Sequence, residues 1–288
     1  MNIDLDGPVH YVDFGGPADA PGVVYVHGLG GSHLNWTALA PLLSEHVRAV
    51  AVDLPGFGRT PAAGRRTTVR ANAGLLRRFL QRLGGGPSIL VGNSMGGYVS
   101  MLVAVDQPTL VSGVVLVDPT LPMVGRIQID PAIRRQFFLN GIPGVGEWSL
   151  ARRYATVPAR QRVSEVLERC CSDAARVPKE MVEAMISLEE ELTLRRGHAA
   201  EHLAAARSIV RGLARPWSYW RRLQAIRHPV LLLHGTHDRL VPIASAHAAA
   251  KRLPHWTFTE LDAGHIPQME TPEPVAAEII KWLSATHR

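Results

Sequence analysis

The sequence predicts an α/β fold, a mostly parallel sheet covered by helices on both faces. Two observations predict it: short continuous apolar runs recur in the first half and near the end, and segments of helical period separate them. Such runs suit strands buried on both faces, which have no polar side to alternate with.

Ile3 to Phe14 has the pattern of an N-terminal hairpin, and Val23-Val24-Tyr25-Val26 reads as a buried strand ending at His27-Gly28-Leu29-Gly30-Gly31. A helical stretch holds Trp36 and Leu39 to Leu43. Ala49-Val50-Ala51-Val52 forms the next strand and closes in Asp53-Leu54-Pro55-Gly56-Phe57-Gly58. Thr68 to Leu83 reads as a helix; Gly84-Gly85-Gly86 precedes a strand and reads as a turn. The strand Ser88 to Val91 runs straight into Gly92-Asn93-Ser94-Met95-Gly96-Gly97 and a helix up to about Gln107. Val111 to Val117 is a strand that stops at Asp118-Pro119.

From Thr120 to about Ala225 only helical period remains, broken at Gly141 to Gly146, Pro158, Pro178, Gly197 and Pro216. Pro131, Pro158 and Pro178 stand where first helical turns would begin, positions that tolerate a missing N–H. This segment is an insertion. The earlier rhythm returns with the strand Val230 to Leu233, a helix near Ile243 to Arg252, a strand at Trp256 to Leu261 and a closing helix from Pro274 to Leu283.

Apolar residues at 46% and charged ones at 19% of the 288 residues mark an ordinary globular composition. No window approaches an unbroken apolar run long enough for a membrane span, and Met1 to Asp6 lacks the basic start and apolar run of a secretory signal, so the expected location is cytoplasmic. The two cysteines, Cys170 and Cys171, are adjacent and imply no disulfide framework. The net charge of +6 does not mark a nucleic-acid binder. Thr120 to Ala225 carries 17 Arg and Lys against 11 Asp and Glu, the whole excess, and there the charges alternate along helical segments instead of clustering.

Gly92-Asn93-Ser94-Met95-Gly96 fits G-x-S-x-G, a sharp strand-to-helix turn that forces its Ser into a strained conformation and exposes the hydroxyl. A Ser hydroxyl needs a base that can take its proton near neutral pH. Of the thirteen histidines, His265 in Asp262-Ala263-Gly264-His265 follows the last strand, where a loop can return it beside Ser94. His234, His237, His247 and His255 read as core-edge or surface residues, and His27 as a structural hydrogen-bonder. The imidazole needs a carboxylate to set its tautomer. Asp238 follows the preceding strand and completes the order Ser94, Asp238, His265 expected of this turn, with Asp118, also at a strand end, as the alternative. For a developing oxyanion, one donor is the N–H of Met95. The second is the N–H of Leu29, or else of Gly30, in a loop whose glycines permit close approach.

On these residues the chain resembles the α/β-hydrolase superfamily over nearly its whole length. The His27-Gly28 loop, the Asp53 to Gly58 turn, the elbow, Asp238 and His265 occur in that family's order and approximate spacing. The resemblance implies an eight-stranded, mostly parallel sheet with helices on both faces. Residues 1–119 and 226–288 would form the core domain, and 120–225 a helical cap over the active site. It implies a structural role for Asp53. Relatives that open epoxides or remove halides use a carboxylate at the elbow, where this chain has Ser94, so those activities are not expected. The elbow also resembles that of the carbon–carbon bond hydrolases acting on meta-cleavage products. Those typically carry Trp after the catalytic His, where this chain has Ile266, and a Ser/Pro/Gly-rich oxyanion loop that it lacks.

Met123, Phe137, Phe138, Trp148, Met181, Met185, Trp217, Tyr219 and Trp220 are the large apolar residues of the insertion, with Trp148 and Trp217 as first candidates for substrate contact. The expected partner is a small-molecule ester with an apolar acyl or aryl group, cleaved through an acyl-enzyme on Ser94. The alternatives are carbon–carbon bond hydrolysis, acyl transfer or haloperoxidation on the same triad, and a non-catalytic ligand-binding protein. No phosphate loop, dinucleotide fingerprint or metal-ligand cluster appears in the sequence, so no cofactor is expected.

Overall fold

The protein is described by a computed structural model covering residues 1–124 and 141–286. Its eight strands are β1 (Asn2–Asp4), β2 (Pro8–Gly15), β3 (Gly22–Val26), β4 (Arg48–Val52), β5 (Ser88–Asn93), β6 (Val111–Val117), β7 (Val230–Gly235) and β8 (Thr257–Leu261). They form one sheet in the order β1-β2-β4-β3-β5-β6-β7-β8. β1 and β2 make the N-terminal hairpin, and β2 pairs antiparallel with β4. All later pairings are parallel.

The continuous apolar runs are explained by burial on two faces. Val24, Val26, Leu90, Val114, Leu116 and Leu232 point to one face, against the helices α1 (Val69–Leu83) and α2 (Met95–Asp106). Their odd-numbered neighbours Val23, Tyr25, Ile89, Val91, Val115, Leu231 and Leu233 point to the other, against Trp36, Leu39, Ile279 and Trp282. Full burial of one such side chain contributes about 1.5–3 kcal/mol. α1 starts at Thr68, whose side chain accepts a hydrogen bond from the Ala71 N–H, and turns Val69, Leu76, Phe79 and Leu80 inward. α2 is apolar almost all round, as a helix enclosed by its neighbours must be. The stretch from Trp36 to Leu43 forms two 3₁₀ turns, His33–Trp36 and Ala40–Leu43, where a single helical stretch was expected. Thr37, Ala38 and Leu39 separate them.

β6 and β7 are sheet neighbours, with Val114 beside Val230, so everything between them leaves the sheet and returns next to where it left. Within that insertion lie α3 (Val145–Thr156), α4 (Ala159–Cys170), α5 (Lys179–Thr193), α6 (His198–Leu213) and α7 (Pro216–Leu223). Pro158 and Pro178 occupy the N-cap positions of α4 and α5, one residue before the expected place; Pro131 lies outside the described residues. Two apolar patches seat the insertion on the sheet unit. Val163, Leu167 and Met181 pack with Ile266 and Met269, while Ala205, Tyr219 and Leu223 join the core over α1 and α2. The chain closes with α8 (Ile243–Arg252), the one-turn α9 (Pro267–Glu270) and α10 (Pro272–Thr286). Among the described residues, no helix is long and apolar enough to cross a membrane.

Candidate active site

Ser94 sits between β5 and α2 with φ 52° and ψ −116°, a conformation that strains a residue bearing a Cβ by about 1–3 kcal/mol. Its surroundings over-determine it. The Ser94 N–H donates to Val117 O at 3.1 Å, and the Thr120 N–H donates to Ser94 O at 3.1 Å. A Cβ on Gly96 would stand 2.0 Å from Val26 O, so only glycine lets the helix start this close to β3. Ser94 itself is half-buried.

His265 lies on the loop after β8, and its Nδ1 is 2.7 Å from Asp238 Oδ2. Asp238 is oriented in turn by the N–H groups of Leu240 and Val241, which donate to Oδ1 at 2.7 and 2.9 Å. Burial alone would raise the Asp238 carboxyl; the charge and hydrogen bond of His265 outweigh it and hold the group below its ordinary value. An ionised Asp238 only accepts, so the proton of that bond sits on Nδ1, and Nε2 is the ring nitrogen turned away from Asp238. Asn93, next to Ser94, ties this pair to the elbow: its Nδ2 donates to Val117 O and to His265 O, both at 3.0 Å.

Asp118 is brought to the same place in a different state. It is fully buried, with φ 43°, and its Oδ1 accepts from the Gly235 N–H at 2.8 Å. Burial and the neighbouring charge of Asp238 push its carboxyl well above the usual range. His234, expected at the core edge, is fully buried between the two acids, with Nε2 3.6 Å from Asp118 and 3.5 Å from Asp238. That nitrogen donates to Val241 O at 2.8 Å, and burial pushes the ring toward its neutral form.

On the other side of Ser94 comes the loop after β3. A Cβ on Gly28 would stand 3.2 Å from Ser94 Cβ, so the loop that carries Leu29 approaches Ser94 at this glycine. Met95 opens α2, so its N–H lies ahead of the helix's own hydrogen-bond ladder. His27 donates through Nδ1 to Gly28 O at 2.7 Å and accepts the Leu54 N–H on Nε2 at 3.0 Å, the structural bonding expected of it. Asp53 is likewise occupied by structure, accepting from His33, His10 and Arg59. His10, His33 and Asp53, and Asp118, His234 and Asp238, are the described clusters whose atoms lie close enough to share a metal ion. Several of these atoms are already engaged in the hydrogen bonds above.

Trp148 and Trp217, the first candidates for substrate contact, stand at the surface. They are 65% and 82% exposed, with the Arg152 guanidinium over the Trp148 ring. Tyr219 is buried and donates to Thr120 O, Trp220 lies under Arg252, and Met181 packs with Met269. Phe137 and Phe138 lie outside the described residues. The insertion instead presents His202, whose Cε1 is 3.3 Å from where a Gly30 Cβ would be and whose ring faces Phe57 at 6.1 Å. Nothing in its sequence neighbourhood marks it, because it reaches the loop only through the packing of α6.

The family model for the α/β hydrolase fold matches residues 21–272. The magnesium-chelatase 30 kDa subunit of Rhodobacter capsulatus is 27% identical over 93% of this chain and 88% of its own length. Monoacylglycerol lipase ABHD6 of Homo sapiens is 24% identical over 97% of this chain and 82% of its own. A solved thermophilic esterase from Thermogutta terrifontis superposes with a TM-score of 0.72 at 26% identity, covering 98% of this chain and 94% of that one.

Proposed function

The chain belongs to the α/β hydrolase fold family, and from that premise we propose that it is a serine hydrolase cleaving a carboxylic ester with an apolar acyl or aryl group. The observation that carries this reading is the strained Ser94 joined through Asn93 to the loop bearing the His265–Asp238 pair. The lipase and esterase among the relatives support the ester as the bond cleaved.

In the proposed reaction His265 Nε2 takes the proton of Ser94 Oγ as that oxygen attacks the ester carbonyl. The resulting imidazolium is stabilised by Asp238. The N–H groups of Leu29 and Met95 receive the tetrahedral oxyanion, each such donor lowering the barrier by roughly 3–4 kcal/mol. His265 then returns its proton to the leaving alcohol, and water deacylates Ser94 by the same route. Residues 120–225 serve as a cap that shapes the substrate chamber, with His202 and not Trp148 or Trp217 as its contact nearest the oxyanion loop.

Ser94→Ala should leave the fold intact and abolish turnover of p-nitrophenyl esters and labelling by a fluorophosphonate. A residual kcat above about a thousandth of wild type overturns Ser94 as nucleophile, since losses of a triad member exceed that. Running the same esters beside a meta-cleavage dienoate separates ester from carbon–carbon hydrolysis.

A further inference from the structure

Glu270 ends α9, five residues beyond His265, and its side chain is fully enclosed. A buried carboxylate is tolerated only where donors replace its water. Glu270 finds them in two segments far apart in sequence. Oε2 accepts from the Gly264 N–H at 2.8 Å and from the Ser172 N–H at 3.1 Å. Oε1 accepts from the Asp173 N–H at 2.9 Å and from the Ser172 hydroxyl, with the Arg176 guanidinium 3.9 Å away.

One side chain therefore joins the turn at the end of α4, in the insertion, to the loop that carries His265. The two backbones also touch directly. The His265 N–H donates to Cys170 O at 2.5 Å, and a Cβ on Gly264 would stand 2.2 Å from that same oxygen. Along Gly264–His265, both N–H groups are thus held by this joint, one by the insertion and the other by Glu270. Only the His265 carbonyl is tied to the elbow, through Asn93.

We propose that Glu270 is a positioning residue for His265, clamping the insertion's Cys170–Asp173 turn onto the Gly264–His265 loop so that the base is aimed at Ser94 by the insertion as well as by the sheet. This rests on the reading of Ser94 and His265 given above. A displaced base impairs proton transfer for every ester alike, whereas a change in the substrate chamber acts through binding and grows with acyl length. A carboxylate that only holds the fold together would affect neither.

The test uses the full-length protein, with p-nitrophenyl acetate as the ester, the rate of fluorophosphonate labelling as a second readout, and thermal unfolding alongside. Glu270→Gln keeps the size but turns an amide N–H₂ toward the donors. It should lower kcat and the labelling rate together by about ten- to hundredfold, the effect of a small misplacement of a reacting group, with KM changed less than about twofold. Wild-type kcat and labelling in a protein that merely melts earlier would overturn the proposal. If Glu270→Gln does not fold, Ser172→Ala decides. It removes a single hydroxyl donor on the insertion side, and should lower kcat about threefold or more at constant KM, again as a misplacement of the base; wild-type kcat there overturns the clamp. Ser94→Ala in parallel keeps the failures apart, because an active Ser94→Ala breaks the reading of the site, while an inactive one beside a fully active Glu270 variant breaks the clamp alone.

Discussion

Two buried clusters of carboxylate and imidazole lie among the described residues, and they are built to opposite ends. Around Asp53 there is one acid and a surplus of donors: the His33 N–H at 2.6 Å, the Arg59 N–H at 2.8 Å, and Nδ1 of His33 and of His10 at 3.0 and 3.1 Å. Burial would raise this carboxyl, but the hydrogen bonds from His10 and His33 hold it far below the ordinary range. It stays an anion, and it ties β2, the first 3₁₀ turn and the turn after β4 together. Around Asp238 two acids share four donors: the Leu240 and Val241 N–H groups and His265 Nδ1 on Asp238, and the Gly235 N–H on Asp118. Burial and the charge of Asp238 raise the Asp118 carboxyl, while the charge and hydrogen bond of His265 lower that of Asp238, so the two acids are pushed in opposite directions. The same residue types give a fixed structural joint in one case and a group poised to follow the charge of an imidazole in the other. What differs is the count of donors against acceptors.

Asp238→Asn is the strongest way to test that contrast. The amide can donate to Nδ1 and so stabilises the wrong tautomer of His265, and kcat/KM should fall by about 10⁴ with the melting temperature little changed. Asp53→Asn should do the opposite. Removing the charge from a full set of donors should lower the free energy of unfolding by about 3–5 kcal/mol, read from urea midpoints, with kcat preserved in the folded fraction. If Asp53→Asn instead abolished kcat in stable protein, the division of labour would be wrong.

Two further imidazoles, His198 and His202 on α6, sharpen the comparison because among the described residues neither is hydrogen-bonded to a carboxylate. Burial pushes both down to about 4. In the unfolded chain they titrate near 6.5, so below that pH the unfolded state binds protons that the folded state refuses. Their contribution to stability is complete above about pH 6.5 and is lost progressively toward pH 4. The urea midpoint should therefore drop over that interval, and less so in the double variant His198→Gln, His202→Gln; an unchanged slope in that variant would assign the acid lability elsewhere.

The smallest effect is expected at Asp118. Its amide variant is uncharged and nearly the same size, and its oxygen can still accept from the Gly235 N–H. Asp118→Asn should keep kcat within about tenfold of wild type, far from the loss at Asp238. A larger loss at Asp118 than at Asp238 would make Asp118 the acid that serves His265.

Much of this was legible along the chain. The strand ends and the elbow are local patterns whose structural consequence is local too. The hairpin and the parallel strands appeared where the apolar runs place them. Less legible were the insertion's faces. Helical period shows that a helix has an apolar stripe, but Trp148 and Trp217 stand outside theirs, at 65% and 82% exposure. Large apolar size was therefore a poor guide to which residues of the insertion are buried.

By itself, the sequence determined where the backbone must turn sharply and which reactive groups sit at the turns. A G-x-S-x-G between strand and helix admits one conformation, and the clearance at Gly96 leaves no other residue that space. Only the tertiary structure decided how those groups are paired: Asp118 against Asp238 across 120 positions of sequence, His202 over the Gly30 loop, Glu270 between Gly264 and Ser172. The physical reason is that charge state and orientation depend on which donors are within about 3 Å. In a folded chain those donors come from segments whose separation in sequence carries no trace of their distance in space.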